Sequence, residues 1–242
     1  MKFFLVAAML MPCLVFSQEK TETRELVGHL GNRSALLILH ASQRKDEGWH
    51  LAGEYLVLPT MVRRYLEGER SPQLGITTLK EGNSAILFGR PATGELRGTW
   101  REGVLRGTRH APGGQERERF EFSEAFPSME GYSAQVRCDT ANGRYSATLA
   151  YAVQAGQVQM LEWQSKVAPS GHVCRLAGLR QTPFTGGLRA ESGGCRVTLR
   201  EVGEFITVAA ESCSHACGSE AYLEPQLVDR RGNCQLLRPV AR

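Results

Sequence analysis

The chain has 242 residues, 42% of them hydrophobic and 22% charged, with a formal net charge of +4 at pH 7. That apolar content is enough for packed cores and excludes a disordered polypeptide. Basic residues alternate with acids, as in RRYLEGER (63–70) and QERERFEF (115–122), which excludes the clustered cationic stripe of a nucleic-acid binder.

The chain opens MKFFLVAAMLMPCLVFSQEK. One positive charge at Lys2, an apolar run over 3–16 and Val15 and Ser17 at the positions a signal peptidase reads predict an export signal, 1–17. The run is shorter than the roughly 20 residues a spanning helix needs, and no later segment is apolar enough, so no integral membrane segment is expected. Met11 and Pro12 stand where a lipoprotein signal requires small residues, which argues against a lipid anchor on Cys13.

Loss of Cys13 with the signal leaves Cys138, Cys174, Cys195, Cys213, Cys217 and Cys234. An even number in an exported chain reads as a disulfide framework. All six follow residue 130, and this asymmetry predicts two domains, 18–126 and 131–242, the second stapled. Their joint is FPSMEGYS (126–133), where Pro127, Ser128 and Gly131 interrupt the strand pattern.

Short alternating apolar runs broken by Gly or Pro dominate throughout, so the expected fold is all-β: two small antiparallel domains, each a hairpin-built sandwich or partly open barrel. ALLILHA (35–41) and WHLAGEYLV (49–57) flank the charged loop SQRKDEG; Trp49, Leu51, Tyr55 and Val57 share one face. PTMVRRYLEGE (59–69) fits a strand or a short helix, and strand is preferred. GELRGTW (94–100) and GVLRGTR (103–109) are near-copies, read as a tight hairpin around Arg101 and Glu102. QERERFEF alternates as a charged strand whose outer face would discourage edge pairing. In the second half Asn142-Gly143 and Ala155-Gly156 mark hairpin turns, Gly203 joins CRVTLRE to EFITVAAESC, and the tail adds one or two strands around 231–233.

ESCSHACGSE (211–220) sets Cys213 and Cys217 four positions apart with His215 between them. A zinc site needs about four N or S ligands, and these residues supply three. A redox pair is normally C-x-x-C at a helix start in an α/β setting. A structural clamp is therefore expected, with no metal and no cofactor. Hairpin range suggests Cys138 with Cys174, Cys195 with Cys213 and Cys217 with Cys234; the alternative joins Cys195 to Cys217 and Cys213 to Cys234.

No catalytic constellation is legible. There is no G-x-S-x-G elbow, since Ala190 stands where AESGG would need its first Gly, and none of the six His has H-x-x-x-H spacing. Glu118, Glu121 and Glu124 are candidates for a carboxylate pair acting on a sugar, because such pairs assemble from distant strands. That leaves an envelope hydrolase as the alternative to a non-enzymatic binder. RGTWREGVLRGTR supplies the candidate contact face, Trp100 with Arg97, Arg101 and Arg106, residue types enriched at interface hot spots. The competing reading puts Trp100 in the core and the arginines in solvent. The partner expected is a protein or glycan of the envelope; nothing in the chain specifies an oligomeric state.

The pattern VGHLG…ALLIL…GEYLV…ITTLKEG…TGELRGTW, residues 27–100, resembles small secreted β-domains of proteobacterial envelopes. CSHACGSEAYL is similar to the C-x-x-x-C-G-x-x-A-x-L tails of short periplasmic proteins, including lysozyme-inhibitor-like modules. The resemblance implies a periplasmic or secreted protein and an inhibitor or immunity role. SGHVC at Ser170 comes nearest to the Ser-Gly recognition loop of such inhibitors, and no residue carries over as inhibitory.

Overall fold

A computed structural model describes residues 21–44, 48–113, 117–168, 170–218 and 221–237. The expected leader, 1–17, lies outside the described residues. The first half forms β1 (Thr21–Leu30), β2 (Arg33–Arg44), β3 (Gly48–Val57), β4 (Val62–Arg70), β5 (Ile76–Gly82), β6 (Gly94–Arg101), β7 (Val104–His110) and β8 (Arg117–Ser123). Each pairs antiparallel with its successor. β8 then returns to β1, Val27 opposite Ser123 and Leu30 opposite Phe120, closing the barrel. Of the segment 59–69, Val62 onward is strand, as preferred, and 59–61 belong to the turn before it. The partly open barrel is corrected to a closed one, and the charged strand β8 is not an edge: closure removes edges outright.

Closure follows from strict two-residue periodicity. Leu26, Leu37, Leu39, Leu51, Leu66, Leu79, Leu96, Leu105, Phe120 and Phe122 all turn inward into one buried cluster, and an eight-stranded barrel is just wide enough to be filled by such side chains. Outward positions on β4 are polar, at Arg63, Tyr65, Glu67 and Glu69, whereas Val27, Leu36, Ile38 and Leu56 on the outer side of β1 to β3 are apolar and buried.

The GELRGTW/GVLRGTR repeat is the β6–β7 hairpin. Its turn is Glu102-Gly103, with φ of 51° and 75°, the doubly left-handed turn that matches strand twist. Gly98 and Gly107, one from each copy, face each other. A Cβ on Gly107 would lie 2.0 Å from the Arg97 carbonyl oxygen and 2.6 Å from the Gly98 Cα. The shared glycine is thus what lets two backbones close together and the sheet bend into a barrel.

The second half builds two facing sheets. β9 (Ala134–Asn142), β10 (Tyr145–Gln154), β11 (Gln157–Val167) and β12 (His172–Leu176) form one, in spatial order β12-β11-β10-β9. The other is a meander of β13 (Arg180–Thr182), β14 (Leu188–Ser192), β15 (Cys195–Val202), β16 (Phe205–Glu211), β17 (Gln226–Asp229) and β18 (Cys234–Leu236). Tyr145, Leu149, Tyr151 and Trp163 from the first and Val197, Leu199 and Val208 from the second share one core. The Ala155-Gly156 turn is as expected, with φ of 47° and 73°. The preceding turn is Gly143-Arg144 rather than Asn142-Gly143, because Asn142 is the last strand residue, paired with Tyr145.

The six-stranded sheet is buried on both faces. Val202 and Leu227, on the side away from the sandwich core, pack with Val27, Leu36, Ile38, Leu56 and Leu58 from the outer surface of β1 to β3 and the turn after it. Arg200 adds an ion pair to Glu25 of β1. A barrel therefore leans by one outer face on a sandwich.

Three disulfides are present: Cys138–Cys234, Cys174–Cys217 and Cys195–Cys213. Only the last follows hairpin proximity. Cys138 and Cys174 cannot pair because β10 and β11 lie between their strands, and three inter-strand steps of about 4.8 Å far exceed the roughly 7 Å Cα limit of a disulfide. Cys138 instead reaches across from β9 to β18 of the opposite sheet, with Cα atoms 5.8 Å apart.

Candidate functional site

The short helix α1 (Ser214–Cys217) resolves the CSHAC segment. Cys213, just before it, bonds to β15 of the six-stranded sheet; Cys217, at its end, bonds to β12 of the four-stranded sheet. Two cysteines four residues apart thus tie one helix to both layers, and neither sulfur is a thiol. Among the described residues, no group of three or more His, Cys, Asp and Glu gathers as a metal site.

The expected contact face is not assembled as such. Trp100 sits inside the barrel, 3% exposed, with the Arg70 guanidinium 5.0 Å from its ring centroid. Gly94, Leu96, Gly98 and Trp100 form the inward parity of β6, whereas Arg97 and Arg101 lie on the outward one. Arg106 is outward on β7. Arg97 is held by Glu95 and Arg106 by Glu121. The three sugar-hydrolysis candidates are likewise engaged: Glu118 accepts from Arg33 at 2.8 Å, Glu121 from Arg106 at 2.8 Å and Glu124 from Arg24 at 2.9 Å.

Sequence reasoning missed a buried ionic network at the barrel end formed by the β1–β2, β3–β4, β5–β6 and β7–β8 connections. Glu81 is 1% exposed, because its parity on β5 is that of Thr77 and Leu79. The Arg109 Nε and Nη2 donate to its two oxygens, each at 2.8 Å, and the Tyr55 hydroxyl donates to Oε2 at 2.8 Å. Burial, reinforced by the Glu81 charge, pushes the Tyr55 hydroxyl well above its ordinary pKa. The hydrogen bonds to Glu81 hold Arg109 firmly protonated. Each carboxylate oxygen thus has at least one close donor, and the network ties β3, β5 and β7 together at this end of the barrel.

A cleft of about 740 Å³ opens where three segments meet: the linker between β8 and β9, the β10–β11 turn and the β13–β14 loop. Such a volume is in the range of ligand-binding clefts. The Gly156 turn rests on the linker, since a Cβ there would lie 3.0 Å from the Met129 carbonyl oxygen, and at Gly186 it would lie 3.1 Å from the Phe126 Cβ. The Gln181 side chain, on the edge strand β13, pins its wall by accepting from the Val158 N–H at 2.6 Å and donating to the Gly156 carbonyl at 3.0 Å. Behind it Arg189 stacks on Phe184 at 3.9 Å, and Arg200 on Phe126 at 4.6 Å. These cation–π contacts stiffen the aromatic side of the cleft. The lining offers Phe126, Phe184 and Pro183 together with Ser128, Gln157 and Thr185; Glu130 is the single ionisable side chain among the fifteen lining residues. The cleft can therefore take up apolar and hydrogen-bonding groups, but it carries no nucleophile with its base and no acid–base pair.

No described helix is long and apolar enough to cross a membrane. Compared with known proteins, the chain matches no family model and no curated protein.

Proposed function

We propose that this is an exported binding protein, periplasmic or secreted, that engages a protein of the cell envelope through the junction cleft, as an inhibitor or immunity protein does, with no chemistry of its own. The observation that carries this reading is the cleft lining: a formed concavity with one titratable group among fifteen residues is equipped to hold a partner, whereas hydrolysis of a glycan requires two carboxylates about 5–10 Å apart. Three disulfides support the compartment, because such bonds persist where the environment is oxidising. The likeness of 27–100 to secreted envelope β-domains points the same way. Residues 18–126 and 131–242 are read as two domains, with the cleft at their joint.

The partner is a protein segment rather than a sugar in this reading, because β13 is an edge strand that can extend its ladder to an extended chain. A photocrosslinking residue at Gln157 or Thr185, introduced into the protein in its own cells, is expected to yield one discrete protease-sensitive adduct. The same residue at Arg137, on the outer face of β9, is expected to yield none. Absence of that adduct, or turnover of peptidoglycan by the purified protein that is lost on Glu118→Gln, Glu121→Gln or Glu124→Gln, contradicts the proposal and favours the hydrolase.

A further inference from the structure

The loop between β5 and β6, NSAILFGRPAT (83–93), projects from the barrel end and is built to stay in one conformation. Asn83 Oδ1 accepts from the Ala85 N–H at 3.0 Å, Gly89 at φ 77° closes the 3-10 turn Ser84–Phe88 by donating to the Ile86 carbonyl, and the Thr93 N–H donates to the Glu81 carbonyl at 2.6 Å. Ile86 is 2% exposed and packs over Gly82. With Ile86 turned in, the turn drives the next two side chains out: Leu87 is 38% exposed and Phe88 86%. Val62, at the same end of the barrel on β4, is 42% exposed. A single exposed apolar residue is ordinary. Two in succession at the tip of a turn tied at both feet are a presented group.

The charge around the tip is one-sided. The loop contains no acid. On the neighbouring strands Glu54, Glu81 and Glu95 are held by Arg63, Arg109 and Arg97. Arg64 is spoken for, its Nε 3.8 Å from Glu81 Oε1, whereas Arg90 is exposed and has no ion-pair partner among the described residues. The uncommitted charge at the tip is thus cationic and stands two residues after Phe88.

From this pairing we infer that the Leu87–Phe88 tip docks on an anionic lipid surface, Phe88 and Leu87 entering the headgroup–acyl boundary while Arg90 meets the phosphates. The alternative occupant, a protein pocket, needs about 800 Å² from each side for a stable complex, and two or three side chains on a convex turn do not supply it. A bilayer requires only modest apolar insertion plus a few cations, and gives weak, reversible attachment. The inference is independent of the junction cleft, which lies between other segments.

The test is co-sedimentation of the full mature protein with vesicles of phosphatidylcholine alone and of phosphatidylcholine with about 30% phosphatidylglycerol, whose negative surface potential attracts basic side chains. Binding is expected to the anionic vesicles only, to weaken about tenfold with Phe88→Ser or with Arg90→Glu, and to fall as salt rises. Both positions are exposed, so unchanged circular dichroism and thermal midpoint will verify that the barrel is intact. Equal binding to neutral vesicles, no binding to either kind, or binding that both substitutions leave intact overturns the inference. Crosslinks from position 88 that run to a protein while vesicles are ignored overturn it in favour of a protein-docking tip.

Discussion

Residue parity decides what each side chain can do here, and Trp100 and Glu81 are the plainest cases. Both occupy inward positions on their strands, and both are almost completely buried. For Glu81 this makes its partners indispensable. Arg109→Met would leave a buried carboxylate with Tyr55 and the more distant Arg64, 3.8 Å away, and a urea titration should show a loss of about 3–5 kcal/mol. Combining Glu81→Leu with Arg109→Met should recover most of that loss, since an apolar pair carries no uncompensated charge. A single-variant loss below about 0.5 kcal/mol would mean that the network is incidental, as exposed ion pairs are. The buried tyrosines give a second expectation. Burial pushes the Tyr145 hydroxyl up to about 12 and raises Tyr55 and Tyr151 as well. Each holds its proton more tightly in the folded chain than in the unfolded one, where the pKa is about 10. Their contribution to stability is therefore complete below about pH 10 and declines as pH rises toward 12 and beyond. Tyrosinate absorbance from these residues should appear together with the loss of circular dichroism, and early ionisation in an intact fold would contradict the packing. The parity argument needs nothing beyond the sequence: Glu81 alternates with Leu79 and Thr77, and Trp100 with Leu96. Trp100 and the arginines Arg97, Arg101 and Arg106 part to opposite sides of the barrel wall, whereas the expected Trp–Arg face grouped residues by proximity along the chain instead of by alternate positions.

At the scale of elements, hairpins were legible and their partners across sheets were not. Gly103, Gly156 and Gly203 mark turns that hydrogen bonds between adjacent strands then complete. The closing contact of the barrel, β1 with β8, joins segments about 90 residues apart with no local signal, since loop closure is a property of the whole meander. The disulfides show the same division. Cys195 and Cys213 sit on one hairpin and pair as expected, whereas Cys138 finds Cys234 across the sandwich at a sequence separation of 96. Chain entropy makes the long connection the stronger one, about 4.7 kcal/mol against about 3 for the hairpin bridge at separation 18. Cys138→Ala with Cys234→Ala should accordingly lower the urea midpoint more than Cys195→Ala with Cys213→Ala. The reverse order would show that the hairpin bridge restrains more than its own loop. The cleft was beyond sequence reasoning altogether, because its walls come from three connections that only the finished topology brings together.

For the whole molecule, the apolar seam between barrel and sandwich determines how independently the halves behave. Leu36 is 5% exposed and points out of the barrel into that seam. Leu36→Asp should cost about 2–4 kcal/mol, and if the seam couples two domains, calorimetry should then separate a single transition into two. One undivided transition at lower temperature would mean that both halves form a single folding unit. The proposed binding role depends above all on a sandwich whose six cysteines are cross-linked, so that their sulfurs have no chemistry left to perform. Peptide mapping of the native exported protein, alkylated before any reduction, tests it directly. The account predicts no labelled thiol and the linked peptides Cys138–Cys234, Cys174–Cys217 and Cys195–Cys213; alkylated Cys213 or Cys217 in the native protein, or a different set of linked peptides, would contradict it.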